Sequence, residues 1–170
     1  MNQVEKVLEE DLMEEEEDTL KDKYLTFHLF GEDYAIELYF VTEIIGIQRI
    51  TEIPDTPDYL KGVINLRGKV IPVIDVRLRF RLKEKEYGDR TCIIVVNVND
   101  TTLGLIVDEV SEVLSIEEDK IDPPPQTGKG TKSRFIKGLG KVGETVKIIL
   151  EMNKLLDQSD MELVDELGEN

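Results

Sequence analysis

An internal repeat constrains this chain more than any other feature. The block Y-L-K-G-V-I-N-L-R-G-K-V-I-P-V-I-D-V, Tyr59 to Val76, returns in weaker form as F-I-K-G-L-G-K-V-G-E-T-V-K-I-I-L-E-M, Phe135 to Met152. The gapless pairing runs from Tyr59–Phe80 onto Phe135–Leu156, at an offset of 76 residues. A second pairing sets Phe27–Ile45 against Val96–Leu114 at an offset of 69. Val41-Thr42-Glu43-Ile44 then faces Val110-Ser111-Glu112-Val113. The extra residues of the second copy fall in its longer connection, Ser115 to Arg134, which contains Pro123-Pro124-Pro125 and Gly128-Lys129-Gly130. A chain of 170 residues that repeats itself in this way reads as two small units sharing a core.

Short apolar segments separated by turn residues predict strands. In the first copy these are Tyr24–Phe30, a Gly31-Glu32-Asp33 turn, Tyr34–Leu38, Glu43–Ile50, Gly62–Leu66, an Arg67-Gly68 turn and Lys69–Ile74. The second copy gives Thr91–Val98, a turn at Asn99-Asp100, Thr102–Val107, Val110–Ile116, Ile136–Val142 and Thr145–Leu150. Five short strands per copy predict a mainly β fold in which each copy forms a small closed barrel, because closure removes exposed edges. Short helical turns are expected to start at Asp75 and Glu151. Met161, Val164 and Leu167 recur at helical spacing, so a C-terminal helix is expected to lay one apolar face on the body and to end at Gly168.

The formal net charge of −16 is concentrated at the ends. Residues 1–22 carry −8, residues 157–170 carry −6, and the body between them is nearly neutral at −2. An acidic chain without a basic surplus argues against binding nucleic acid or an anionic membrane surface. The run Glu14–Asp18 reads as part of a solvated, poorly ordered tail. Cys92 is the sole cysteine, which excludes an intrachain disulfide and favours the cytosol. Neither a signal peptide nor an apolar run of membrane-spanning length is evident, so a soluble, cytoplasmic protein is expected.

The residues give little support to catalysis. His28, the only histidine, sits in an alternating pattern that places it on a strand surface. Cys92 begins an apolar strand and reads as a buried structural thiol. One histidine and one cysteine do not assemble a zinc site. Asp75, Asp108 and Glu109 have no spacing that demands acid–base chemistry and read as turn or helix-cap residues. Gly62 to Gly68 and Gly128-Lys129-Gly130 both fail the phosphate-loop pattern. The basic and apolar alternation from Arg77 to Lys83, with Lys85, reads as a solvated face or as a docking patch for an acidic partner surface.

Asymmetry between the copies is the remaining signal. The first has Asn65-Leu66-Arg67-Gly68 where the second has Lys141-Val142-Gly143-Glu144. An arginine needed only to close the hairpin would be needed twice. Its guanidinium can fork onto a carboxylate or carbonyl, which leaves open a partner contact and a structural salt bridge.

At these residues the chain resembles the CheW family of bacterial chemotaxis coupling proteins. The matching segments are Y-A-I-E-L-Y-F-V-T-E-I-I (Tyr34–Ile45), I-P-D-T-P-D-Y-L-K-G-V-I-N-L-R-G-K-V-I-P-V-I-D-V-R (Ile53–Arg77), L-G-L-I-V-D-E-V-S-E-V-L (Leu103–Leu114) and F-I-K-G-L-G (Phe135–Gly140). The resemblance spans about residues 24–156, and G-V-I-N-L-R-G is its most specific part. It implies two packed five-stranded SH3-like barrels. The organisation it suggests is an acidic tail at 1–22, a CheW-like domain at 23–156 with copies at about 24–82 and 91–156, and an acidic helix and tail at 157–170.

The resemblance also implies a non-catalytic adaptor with no cofactor. It would join the regulatory domain of the histidine kinase CheA to the helical-hairpin tips of chemoreceptors, in the cytoplasm at the inner face of the membrane. The positions it marks at or near partner surfaces are Val41, Glu43, Gly62, Asn65, Arg67 and Val113. Val41, Ile44, Val110 and Val113 share an apolar pattern across the repeat, which points to the core for all four. A fusion relative, in which the same domain precedes a receiver (CheV-type), is the alternative.

Overall fold

Burial alternates along Leu60–Leu66 and Ile136–Val142, whereas Lys69–Asp75 and Cys92–Val98 are buried on consecutive residues, as strands covered on both faces are. The computed structural model describes residues 19–124 and 133–155 and, near the C-terminus, positions 162, 164, 166 and 167. The first copy supplies β1 (Lys23–Leu29), β2 (Glu32–Glu37), a 3-10 turn at Leu38–Phe40, β3 (Val41–Gly46), β4 (Leu60–Leu66), β5 (Lys69–Asp75) and α1 (Val76–Arg79). The second supplies β6 (Cys92–Val98), β7 (Thr101–Val107), β8 (Glu109–Ser115), β9 (Ile121–Asp122), β10 (Ile136–Val142), β11 (Thr145–Leu150) and a 3-10 turn at Met152–Lys154. Both expected helical turns form where the sequence places them. Asp75 caps α1 by accepting the Leu78 N–H at 3.3 Å.

One turn differs from expectation. Phe30 does not end a strand but leads the β1–β2 turn, with φ of 51° there and 76° at Gly31. The strands pair from Leu29↔Glu32 onward, so Glu32 and Asp33 belong to β2.

Each sheet draws on both copies. The first has the order β8-β1-β2-β11-β10-β9 and the second β3-β6-β7-β5-β4. Taking β1 with β6, β2 with β7, β3 with β8, β4 with β10 and β5 with β11 as repeat counterparts, the two orders are the same. Thr51, bridged to Val63, stands where β9 stands against β10. Each copy therefore lends its first two strands to the other. They join through short parallel ladders, Ala35 to Ile149 in one sheet and Gly104 to Val73 in the other. The repeat boundaries near 82 and 91 are not sheet boundaries.

Two packed, SH3-like β domains are present as expected, but the ladders do not close among the described residues. One carries six strands rather than five, and both remain open. A two-residue end strand such as β9 has too few ladder groups to complete a barrel.

The largest apolar cluster lies between the sheets. It gathers Leu25, Phe27 and Ile36 with Ile94, Val96 and Leu105, and adds Phe80, Phe135, Leu150 and Met152. Fully burying such a side chain contributes about 1.5–3 kcal/mol. Smaller clusters lie within each sheet, around Ile64, Ile71 and Ile93 in one and Tyr24, Ala35 and Ile149 in the other. Val164 is buried against the shared core and Leu167 packs on it, while Glu162 and Glu166 face solvent. This is the expected face of the C-terminal helix. Met161 and Gly168 lie outside the described residues, as do the tail 1–18 and Pro125 to Lys132.

Two arginines lock the copies together. Arg79 lies 4.5 Å from the Tyr59 ring centroid and 4.7 Å from that of Phe135, and donates to the Leu155 carbonyl at 2.6 Å. Tyr59 and Phe135 are repeat counterparts, so one guanidinium serves both. Arg77, which the sequence offered as part of a solvated face, is buried and binds Asp108 through Nε and Nη2 at 2.6 and 2.5 Å. Burial pushes the Asp108 carboxyl up. The hydrogen bonds from Arg77 and from the Phe30 N–H, with the charge of Arg77, outweigh that and hold it below its ordinary value.

Candidate functional site: the arginine hairpin and the β3 edge

The hairpin that differs between the copies is a two-residue turn. Leu66 pairs with Lys69, and Arg67 and Gly68 between them have φ of 52° and 85°. Two left-handed residues define the tight turn that matches strand twist, and asparagine and glycine suit it best. Asn65 secures the turn by accepting the Gly68 N–H at 2.8 Å. In the second copy only Gly143 is left-handed, and Thr145 donates to the Val142 carbonyl at 2.8 Å. The hairpin therefore closes without an arginine, and a non-glycine residue at Arg67 costs backbone strain of about 1 kcal/mol or more.

Arg67 directs Nη2 to Oε1 of Glu43 on β3. The two candidates of opposite charge thus meet, although 24 residues separate them. The Arg67 side chain remains 71% exposed, against 30% for Glu43. An ion pair this exposed contributes about 0–1 kcal/mol, too little to account for the strain. The arrangement presents a fixed guanidinium to whatever docks beside it.

Gly62 has a firm structural reason. Its φ is 145°, and a Cβ there would lie 2.0 Å from the Thr51 carbonyl oxygen. That oxygen accepts the Val63 N–H at 2.9 Å. Gly138, its repeat counterpart, meets the equivalent crowding from Ile121 and the Asp122 oxygen. Both copies keep glycine because another backbone passes close by.

The apolar candidates divide. Val41 and its counterpart Val110 are half-buried and pack on the shared core, in line with the core reading. Ile44 and Val113 are 44% and 51% exposed, contrary to it. Both strands, β3 and β8, carry a register shift between these positions, so residues three apart share a face. Val41 and Ile44 stand opposite Val96 and Ile94, and Val110 and Val113 opposite Phe27 and Leu25, partners that are all core residues. Ile44 and Val113 lie on that face where nothing covers it. β3 and β8 are also terminal strands of their sheets. The structure thus offers two equivalent edges, each with one exposed large apolar side chain. Their bases converge on the core between the domains.

The remaining sequence candidates are accounted for locally. His28 pairs with Asp33 on a partly exposed strand face. Lys147 holds Asp33 at 2.7 Å, and its hydrogen bond keeps that carboxyl below its ordinary value. Asp75 accepts the Tyr87 hydroxyl at 2.7 Å besides capping α1. Cys92 is half-buried rather than buried and lies 3.3 Å from the Arg90 carbonyl. Among the described residues, no helix is long and apolar enough to cross a membrane.

Comparison with known proteins places this fold. A family model described as a CheW-like domain matches residues 23–160. The chain is 37% identical over 153 residues to the chemotaxis protein CheW of Klebsiella aerogenes, which covers 90% of this chain and 92% of that one. It is 36% identical over 137 residues to the chemotaxis protein CheW of Bacillus subtilis, covering 81% and 88%. Among solved structures, the scaffolding protein TtCheW of Thermoanaerobacter tengcongensis matches with a TM-score of 0.75 and 37% identity, covering 80% of this chain and 92% of that one.

Proposed function

The chain belongs to the CheW-like family of chemotaxis scaffold proteins, and from that premise we propose that it couples chemoreceptor tips to the histidine kinase CheA without catalysing a reaction. Holding both partners at once places the kinase where a change of receptor state alters its activity, and the cytoplasmic face of a receptor array is where that contact would occur. The observation that carries this reading is the Glu43–Arg67 corner, present in one copy alone and kept at the cost of a strained backbone.

In this reading Arg67, Glu43 and Asn65 form the polar part of the contact, and Gly62 sets the hairpin that bears them. Val113, and Val41 beside the core, supply the apolar part. A receptor tip is a helical hairpin, and long edge strands with exposed Ile44 and Val113 offer apolar anchors of the kind that helices use. The kinase's regulatory domain shares the paired β design, so docking of one β domain against another suits it.

The test is Arg67→Ala in pull-downs with a receptor-tip fragment and with the kinase regulatory domain. Loss of retention of at least one fragment, with unchanged folding by circular dichroism, is expected. Equal retention of both removes Arg67 from the contact.

A further inference from the structure

We propose that Phe30 is a second contact residue, an aromatic knob that inserts into an apolar, acid-rimmed pocket of the kinase's regulatory domain. The partner's identity rests on the scaffold reading above; the knob itself rests on separate observations.

Phe30 stands in left-handed backbone, φ 51°, at the first position of the β1–β2 turn. Bulky residues are outliers in that region. The counterpart turn in the second copy is Asn99-Asp100, with φ of 52° and 64°, and it uses residue types that tolerate this conformation. The backbone thus calls for asparagine where the chain has phenylalanine. No core burial offsets the strain, because Phe30 is 58% exposed. A strained backbone position that displays an unburied ring points to a contact with another molecule.

The ring is also held in place. The Phe30 N–H donates to Oδ2 of Asp108 at 3.3 Å, and the Arg77 guanidinium lies 5.6 Å from the ring centroid. Arg77 is itself fixed, by Asp108 and by the Lys83 carbonyl at 2.9 Å. A ring backed by an immobilised guanidinium loses little freedom on docking.

The same Lys83 contact brings the basic run alongside. Lys83 and Lys85 are exposed there, and Lys85 lies close enough to act on the Asp108 carboxylate. Glu84 turns to Lys61 at 2.7 Å, and Glu32 is exposed at the start of β2. The cations favour a pocket rimmed by carboxylates.

An adaptor needs separate faces for two partners. The Arg67 turn belongs to the second sheet and the Phe30 turn to the first. A long edge suits a helical rod, whereas a single knob suits a pocket in a compact domain. The kinase domain is therefore assigned to Phe30.

The experiment is Phe30→Asn in the full chain, copying Asn99. The urea midpoint is measured, with calorimetric titration of the kinase regulatory domain and of a receptor-tip fragment. The midpoint is expected to hold or rise, and the Kd for the kinase domain to rise about tenfold or more, with receptor affinity unchanged. A lower midpoint assigns the ring to packing and overturns the proposal. Unchanged kinase affinity, or weakening confined to the receptor fragment, overturns it while the scaffold reading stands. A wild-type chain that binds no kinase domain overturns both.

Discussion

Arg77 and Asp108 form a two-pronged ion pair that joins the first copy of the repeat to the second. Breaking a buried pair strands the surviving charge. Arg77→Met and Asp108→Asn are each expected to cost about 2–4 kcal/mol, the lower end reflecting partial exposure. Urea unfolding of both single variants and the double variant checks this. The double variant should fall well short of the sum of the singles.

Acid should erode the same joint. Asp33 and Asp108 both have carboxyls held below the ordinary value, so the folded state binds fewer protons than the unfolded chain. Their stabilisation is complete above the unfolded value of about 3.9 and is lost as pH falls through the lower folded values. Thermal melts of the wild type should drop across that interval, and Asp33→Asn with Asp108→Asn should flatten the drop.

Gly62→Ala should be far more damaging than Gly31→Ala. Both glycines have positive φ, but only Gly62 has a carbonyl oxygen 2.0 Å from the new Cβ. A loss of about 3 kcal/mol or more is expected for Gly62→Ala, against about 1 kcal/mol for Gly31→Ala. Comparable urea midpoints for the two would refute the close-approach account.

Ile44→Asp and Val113→Asp test the exposed edges. Both side chains are largely outside the core, so stability should stay within about 0.5 kcal/mol of wild type. Retention of the receptor-tip fragment should fall. Val41→Asp, by contrast, should cost about 2 kcal/mol, because Val41 packs on the shared core. Unfolding midpoints and pull-downs on the same three variants separate contact from packing.

Local structure was legible in the sequence wherever a single segment decides it. The hairpin at Arg67-Gly68 and the strands Ile136–Val142 and Thr145–Leu150 follow from turn chemistry and alternation. The strand exchange did not, because periodicity says which face a residue takes but not which distant strand it pairs with. The Phe30 turn was hidden because phenylalanine rarely adopts positive φ, yet the repeat had already set Phe30 opposite Asn99. Of the candidate site, the asymmetry of Arg67 was visible. Its pairing with Glu43 was not, since it depends on how β3 lies beside the β4–β5 hairpin. The exposure of Ile44 and Val113 was not legible either. The shared apolar pattern gives the face they take, and both take the core-side face, but not that β3 and β8 are terminal strands whose outer positions stay uncovered.

Strand exchange has a consequence for heredity and stoichiometry. One copy of the repeat owns parts of two sheets and the whole of neither, so a single-copy ancestor would have folded only as an intertwined pair of identical molecules. Such a pair carries every surface feature twice. Fusing the halves into one chain frees each to change alone, and lets Arg67 and Phe30 arise on one side while Gly143 and Asn99 stay on the other. The tandem chain then presents one corner of each kind, and an assembly built from it is counted one contact per molecule rather than two.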